Sequence, residues 1–188
     1  LPEGHIWLGG EESSKDGTIF NANIPTEEVF SAPQYNGVNG VVHSTKPLIY
    51  HGNTISDFSF TFKEGKIVEY TAKEGYEVLK ELVETDEGSH YLGEVALVDH
   101  FSPISQSNQI FYETLFDENA SCHLAIGASY PTCLKDSDGL SEEELKERGL
   151  NHSLTHVDFM IGHERMNIKG YTCDGQAVDI MIDGRLQV

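Results

Sequence analysis

The segment NHSLTHVDFMIG, residues 151–162, sets His156 and Asp158 two positions apart within an apolar run of Val157, Phe159, Met160 and Ile161. Side chains alternate between the faces of an extended strand, so this imidazole and this carboxylate project the same way. Both are metal-ligand types, and one stiff strand would deliver them as a pair.

Three other segments put ionisable groups in apolar or rigid surroundings. Glu94 interrupts LGEVALV, where Val95 and Leu97 take the opposite face. A buried carboxylate without a partner costs several kcal/mol or stays protonated. A divalent cation removes that penalty, as would an Arg partner or a solvent-facing strand end. In NIPTEEVFSAP, Glu27 and Glu28 lie between Pro25, which fixes the entering backbone, and Pro33, which ends the segment. Neighbouring side chains diverge in an extended stretch, so one glutamate can enter a site while the other faces away. An acidic surface pair is the alternative. In FYETLFDENASCHLAIGASYPTC, His123 stands among Ala120, Cys122, Leu124, Ala125 and Ile126. Such small neighbours let a metal or another backbone approach, unless the imidazole is simply a satisfied core group. Tyr130 follows, with Pro131 stiffening the turn. Its phenol belongs either to the core or to a site where it donates to an oxyanion.

Two glutamates, two histidines and one aspartate make an inventory suited to a binuclear divalent-metal centre. Carboxylates bridge ions, and imidazoles favour Zn, Co or Mn over Ca or Mg. Two ions ~3.5–4 Å apart can share a hydroxide and polarise a carbonyl.

The elements that must position these groups read as α+β, mainly antiparallel sheet with a few short helices. GVNGVVHST and PLIYHGN are short strands. FSFTFKEGKIVEYTA is a hairpin, with Phe58, Phe60 and Phe62 alternating and Glu64-Gly65 turning. Tyr76, Leu79 and Val83 predict a helix over GYEVLKELVETDEG. YLGEVALVDH is a buried strand. FDENASCHLAIG reads as helical, from Asp117 as N-cap to Gly127 as stop. SEEELKERG is a helix with a Ser141–Glu144 capping box. DGQAVDIMIDGRL is a final strand pair with two Asp-Gly turns.

The 188 residues suit one domain, and 38% hydrophobic with 23% charged residues is ordinary globular composition. Lys plus Arg is 12 against 31 Asp plus Glu, a formal charge of −19 that repels nucleic acid and anionic membranes. No apolar run approaches the ~20 residues needed to span a bilayer. Cys122, Cys133 and Cys173 form no CxxC pair, which predicts free thiols and a reducing, cytoplasmic setting. The chain begins at Leu1, and LPEGHIWLGG reads as mid-chain sequence, so a piece of a longer or processed protein is expected.

NIPTEEVF, LGEVALV, FYETLFDENASCHLAIG with YPTC following, and SLTHVDFMIG together resemble the thermophilic-type metalloaminopeptidases, the group of aminopeptidases T and S and PepS. The resemblance implies removal of N-terminal residues from peptides with a free N-terminus, using two divalent ions (Zn, Co, Mn or Mg). It implies Glu28, Glu94, His123, His156 and Asp158 as metal ligands, with Glu94 bridging. Tyr130 would be a ligand or hydrogen-bond donor, and Glu27 or Glu118 the carboxylate that carries a proton to the leaving amine. In one regular helix Glu118 and His123, five residues apart, would face different directions. Family members carry an additional N-terminal α/β domain and form homodimers. Residues 1–188 are therefore expected to be the metal-bearing catalytic C-terminal domain of a two-domain enzyme, either active alone or silent without its companion. The remaining alternatives are a non-catalytic cation-binding module and a metal-free enzyme with paired carboxylates, such as a glycosidase. The His-x-Asp strand and His123 count against the last.

Overall fold

The computed structural model describes residues 1–24 and 27–187. Pro25, expected to fix the entry to the Glu27-Glu28 pair, lies outside them. The chain opens with β1 (Leu8–Gly9) and a hairpin of β2 (Glu11–Ser13) and β3 (Ile19–Asn21), then β4 (Val29–Ser31). Next come β5 (Gly40–His43), β6 (Leu48–Tyr50), β7 (Asn53–Ile55), β8 (Ser59–Lys63), β9 (Lys66–Thr71) and helix α1 (Tyr76–Val83). β10 (Leu92–Leu97) leads through α2 (Pro103–Ser107) and α3 (Thr114–Asp117) to β11 (His123–Gly127). Helix α4 (Glu142–Glu147) precedes β12 (His156–Met160), and β13 (Ile168–Tyr171), β14 (Ala177–Ile182) and β15 (Arg185–Leu186) follow. The class is α+β, mainly antiparallel, as the patterning predicts.

The centre is a five-stranded antiparallel sheet in the order β1-β4-β10-β11-β12. Its strands follow chain order, and everything else is inserted between them. One face is apolar. Leu124, Ile126, Val157 and Phe159 pack there against Phe58, Phe60, Phe62 and Ile67 of the β8–β9 hairpin and Leu79, Leu82 and Val83 of α1. The rings of Phe58, Phe60 and Phe159 meet at centroid distances of 5.7, 5.8 and 5.2 Å. Aromatic groups so arranged add to the area they bury. The hairpin turns at Glu64 and Gly65, both with positive φ (51° and 83°), as a two-residue turn of matching twist requires. The Ser141–Glu144 capping box opens α4 as expected.

Two sequence readings are corrected. FDENASCHLAIG is not one helix. Its helix stops at Asp117, a 3-10 turn spans Glu118–Ala120, Ser121 is extended, and His123–Gly127 is a strand in the sheet. Asp117 is no N-cap: it ends α3, buried, and accepts hydrogen bonds from the backbone N–H groups of Phe111 and Glu113. Alternation was present in HLAIG, with Leu124 and Ile126 toward the core and His123 and Ala125 toward the other face. Pairing on both edges overrides the helical propensity of Leu124 and Ala125. In α1, Leu79, Leu82 and Val83 are buried, but Tyr76 is 44% exposed and stacks on Tyr70 instead.

Candidate metal centre

The second face of the central sheet gathers the ionisable groups that could hold a metal ion. Ala125 of β11 pairs with Glu94 of β10 on one side and Asp158 of β12 on the other. Directly paired residues share a face, so Glu94 and Asp158 project together across a methyl group. Two positions along β11, His123 pairs with Ala96 and Met160; on β12, His156 pairs with Gly127. Phe30 of β4 pairs with Ala96, which places Glu28 on this face as well. The residues facing the ligands across the ladders are thus mostly alanine and glycine, and leave room between them.

Glu94 reaches this face through a β-bulge. Leu92 pairs with Ile126 and Glu94 with Ala125, so two residues of β10 oppose one of β11. In a regular strand Leu92 and Glu94 would share a face. The extra residue, Gly93, turns Leu92 into the core and Glu94 into the site. A Cβ at Gly93 would lie 2.1 Å from the Ala128 carbonyl oxygen, so only glycine fits.

Glu94 stands between the two imidazoles. Its Oε1 is 3.3 Å from His123 Nε2 and its Oε2 is 3.5 Å from His156 Nε2. Glu28 Oε1 is 3.5 Å from His123 Nε2, and Asp158 Oδ1 is 3.6 Å from His156 Nε2. Three ligand groups result: Glu28–Glu94–His123, Glu94–His156–Asp158, and Glu118–His123–Asp158, each with atoms within 4.8 Å of one another. Both imidazoles donate Nδ1–H to a backbone carbonyl, His123 to Ser121 at 2.9 Å and His156 to Ala128 at 2.7 Å. That bond fixes each ring and aims Nε2 at the carboxylates, the arrangement that orients histidine ligands.

A divalent cation fits this donor set. His123 Nε2 and Asp158 Oδ1 are buried without a hydrogen-bond partner, a costly state unless something else binds them. Two ligands of one tetrahedral ion stand roughly 3.4 Å apart, given bonds of ~2.0–2.2 Å; the observed spacings bracket that value. Four carboxylates with two neutral imidazoles would balance two dications.

Protons fill the same role when cations do not. Burial raises the Glu94 carboxyl against the pull of His123, and burial with nearby Asp158 pushes Glu118 up to about 9. Burial opposes charge on His123, but Glu28 and Glu94 outweigh it and hold the imidazolium well above its ordinary range. Burial likewise opposes charge on His156, yet Asp158 lifts it to about 9. Asp158 is held below its ordinary range by His156 despite burial. Burial and Glu94 push the Tyr130 phenol up to about 12, so it remains a donor at neutral pH.

All five expected ligands therefore converge, and Glu118 joins them because the turn at Glu118–Ala120 replaces the expected helix. Tyr130 stands at the rim, half exposed, its ring 4.8 Å from that of His156. Glu27 is exposed and outside the converging set; the pair diverges as adjacent extended residues do. The site opens into a cleft of about 1080 Å³, lined by Glu28, Glu94, Glu118, Tyr130, His156 and Asp158 among others. Sequence reading missed Asn23, which donates to Glu118 at 2.7 Å, and Gly93. A glycine inside an apolar strand is a bulge signal; nothing local marks Asn23.

Comparison with known proteins agrees with this fold. The profile of a family described as thermophilic metalloprotease (M29) matches residues 1–186. Aminopeptidase AmpS of Bacillus subtilis is 58% identical over 184 residues, and Aminopeptidase 2 of Geobacillus stearothermophilus is 56% identical over 184. Each alignment covers 98% of this chain and 45% of the relative. A solved structure titled wild-type AmpT from Thermus thermophilus superposes with a TM-score of 0.93 at 44% identity, covering 100% of this chain and 46% of the other. The chain thus spans less than half the length of the relatives it matches.

Proposed function

The chain belongs to the thermophilic metalloprotease family M29, and from that premise we propose that it carries the catalytic centre of a binuclear metalloaminopeptidase. The observation that carries the reading is the placement of Glu94, with one carboxylate oxygen toward each imidazole. A single-ion site does not need a carboxylate divided in this way. Glu28 with His123 would complete one position, and His156 with Asp158 the other. Two ions (Zn, Co, Mn or Mg) would supply a nucleophilic hydroxide near neutral pH and a Lewis acid for the scissile carbonyl.

The chain's own groups then have separate tasks. Glu94, Glu28 and Asp158 would offset the positive charge of the ions, which would displace the protons that these carboxylates otherwise hold on the two imidazoles. Tyr130, a protonated donor at the rim, hydrogen-bonds the developing oxyanion. Glu118, held from behind by Asn23, takes the proton and passes it to the leaving amine. Glu27, exposed, is the weaker choice for that step. The acidic cleft attracts the α-ammonium of a peptide with a free N-terminus and repels nucleic acid. We assign residues 1–188 as a catalytic C-terminal domain, homodimerisation to the longer protein, and a cytoplasmic location. The three cysteines, all free, support the last. No described helix is long and apolar enough to cross a membrane.

The test is release of the N-terminal residue from a dipeptide amide by the metal-loaded chain, beside its N-acetylated counterpart. Release from the free amine alone, lost in Glu94→Gln, is the expected result. Metal uptake with no release by this chain or by the longer protein would leave a cation-binding module.

A further inference from the structure

We propose that Asn23 is a positioning residue that holds Glu118 in its working orientation; the inference rests on the metal-centre reading above. Asn23 lies on the segment after β3 that leads to Glu28, and 95 positions before Glu118. Its Nδ2 donates to Glu118 Oε1 at 2.7 Å. Its Oδ1 accepts from the Ile24 N–H at 2.6 Å and from Asn119 Nδ2 at 3.2 Å. With two donors on the oxygen, the amide has one orientation, and the nitrogen must face Glu118. Asn119 is itself fixed: it is fully buried and its Nδ2 also donates to the carbonyls of Leu115 and Phe116, at 3.0 and 3.3 Å.

The relay answers a need of this fold. Glu118 sits on one turn of 3-10 helix, not on a sheet strand that would hold it as β10 and β12 hold Glu94 and Asp158. A glutamate on such a turn has three free torsions. One directed hydrogen bond to Oε1 removes most of that freedom, close to His123 and Asp158, whose ligand atoms lie within 4.8 Å of a Glu118 carboxylate oxygen. Asn23 lines the same cleft, but its amide is engaged by Glu118, the Ile24 N–H and Asn119, so its effect on the site runs through Glu118. Partners that orient groups at a metal site are worth roughly 10- to 100-fold in affinity or activity.

The experiment is a double-mutant cycle on the chain, crossing Asn23→Ala with Glu118→Gln. It reads Zn²⁺ affinity by calorimetry and kcat and KM on the dipeptide amide. Asn23→Ala alone is expected to weaken Zn²⁺ binding about 10-fold and lower kcat 10- to 100-fold at unchanged KM. Over Glu118→Gln it should change either quantity less than about twofold, because its effect runs through the carboxylate. Asn23→Asp, which keeps the acceptor for the Ile24 N–H and Asn119 without the donor to Glu118, should behave as Asn23→Ala; a role confined to those two bonds would be spared by it. Equal losses in both Glu118 backgrounds, or a silent Asn23→Ala, would overturn the proposal. The calorimetric arm needs no turnover, so Asn23 stays under test in a chain that is silent without its companion domain, and only a longer protein that is also inactive would count against the peptidase reading.

Discussion

Glu94 and Asp158 both lie opposite Ala125, one on each flanking strand, so two buried carboxylates face one another across a single methyl group. The spacing is set by backbone pairing, not by flexible side chains. It fixes how wide the floor of the site can be.

Ala125→Val should close that floor. Ala125 is wholly buried, and two added methyl groups would press on both carboxylates. Overpacking of this kind costs about 1–3 kcal/mol, readable in a urea titration. The Zn²⁺ content of the purified variant should fall together with its stability. A variant that loses stability but binds metal as before would show that Ala125 is ordinary core.

Gly93→Ala tests the bulge. The new Cβ would meet the carbonyl oxygens of Ala128 and Gly127 at 2.1 and 2.4 Å, both backbone. Neither can move without disturbing the turn that also holds His156 through Ala128. A loss of about 3 kcal/mol or more is expected from thermal unfolding, with weaker metal binding in whatever fraction folds.

Without metal, stability should fall as pH rises from about 6.5 to 9. His156, lifted to about 9, contributes stability that is complete below the unfolded value near 6.5 and is lost as pH climbs through 9. His123 acts in the same direction. Glu118, also near 9, is neutral when folded and is increasingly penalised over the same range. Asp158, held low, has the opposite sign but acts only below pH ~4. Chelator-treated protein should melt lower at pH 9 than at pH 6.5. Zn²⁺ should shrink or reverse that gap, since cations bind the deprotonated ligands. A flat profile with chelator present would contradict the coupling.

Saturating Zn²⁺ should also stabilise the fold outright. At about a thousand times Kd each site adds roughly 4 kcal/mol, so titration of chelator-treated protein should raise the melting temperature with the logarithm of free Zn²⁺ above Kd. An unchanged melting curve would mean that the ligands do not bind ions in the folded chain.

Much of this site was legible in the sequence because strand alternation is a strong local signal. His156 and Asp158 read correctly as one-face neighbours, and Glu94 as a carboxylate in a buried strand. Divergence of Glu27 and Glu28 followed from the extended backbone alone. His123 was chosen for its small neighbours, but on the wrong element: FDENASCHLAIG reads as helix until the two partner strands of His123–Gly127 are known. Glu118 suffered from the same error, since only the break after Asp117 swings it toward His123. Asn23 was invisible because its role depends on a contact 95 positions away. No local pattern encodes such a contact.

The central claim is that Glu94 is shared by two ions. Elemental analysis of the purified chain, combined with an anomalous diffraction map at the metal's absorption edge, tests it most directly. Two ions per chain are predicted, one beside Glu28 and His123 and the other beside His156 and Asp158, with a Glu94 oxygen on each. One ion only, or two that both avoid Glu94, would contradict it.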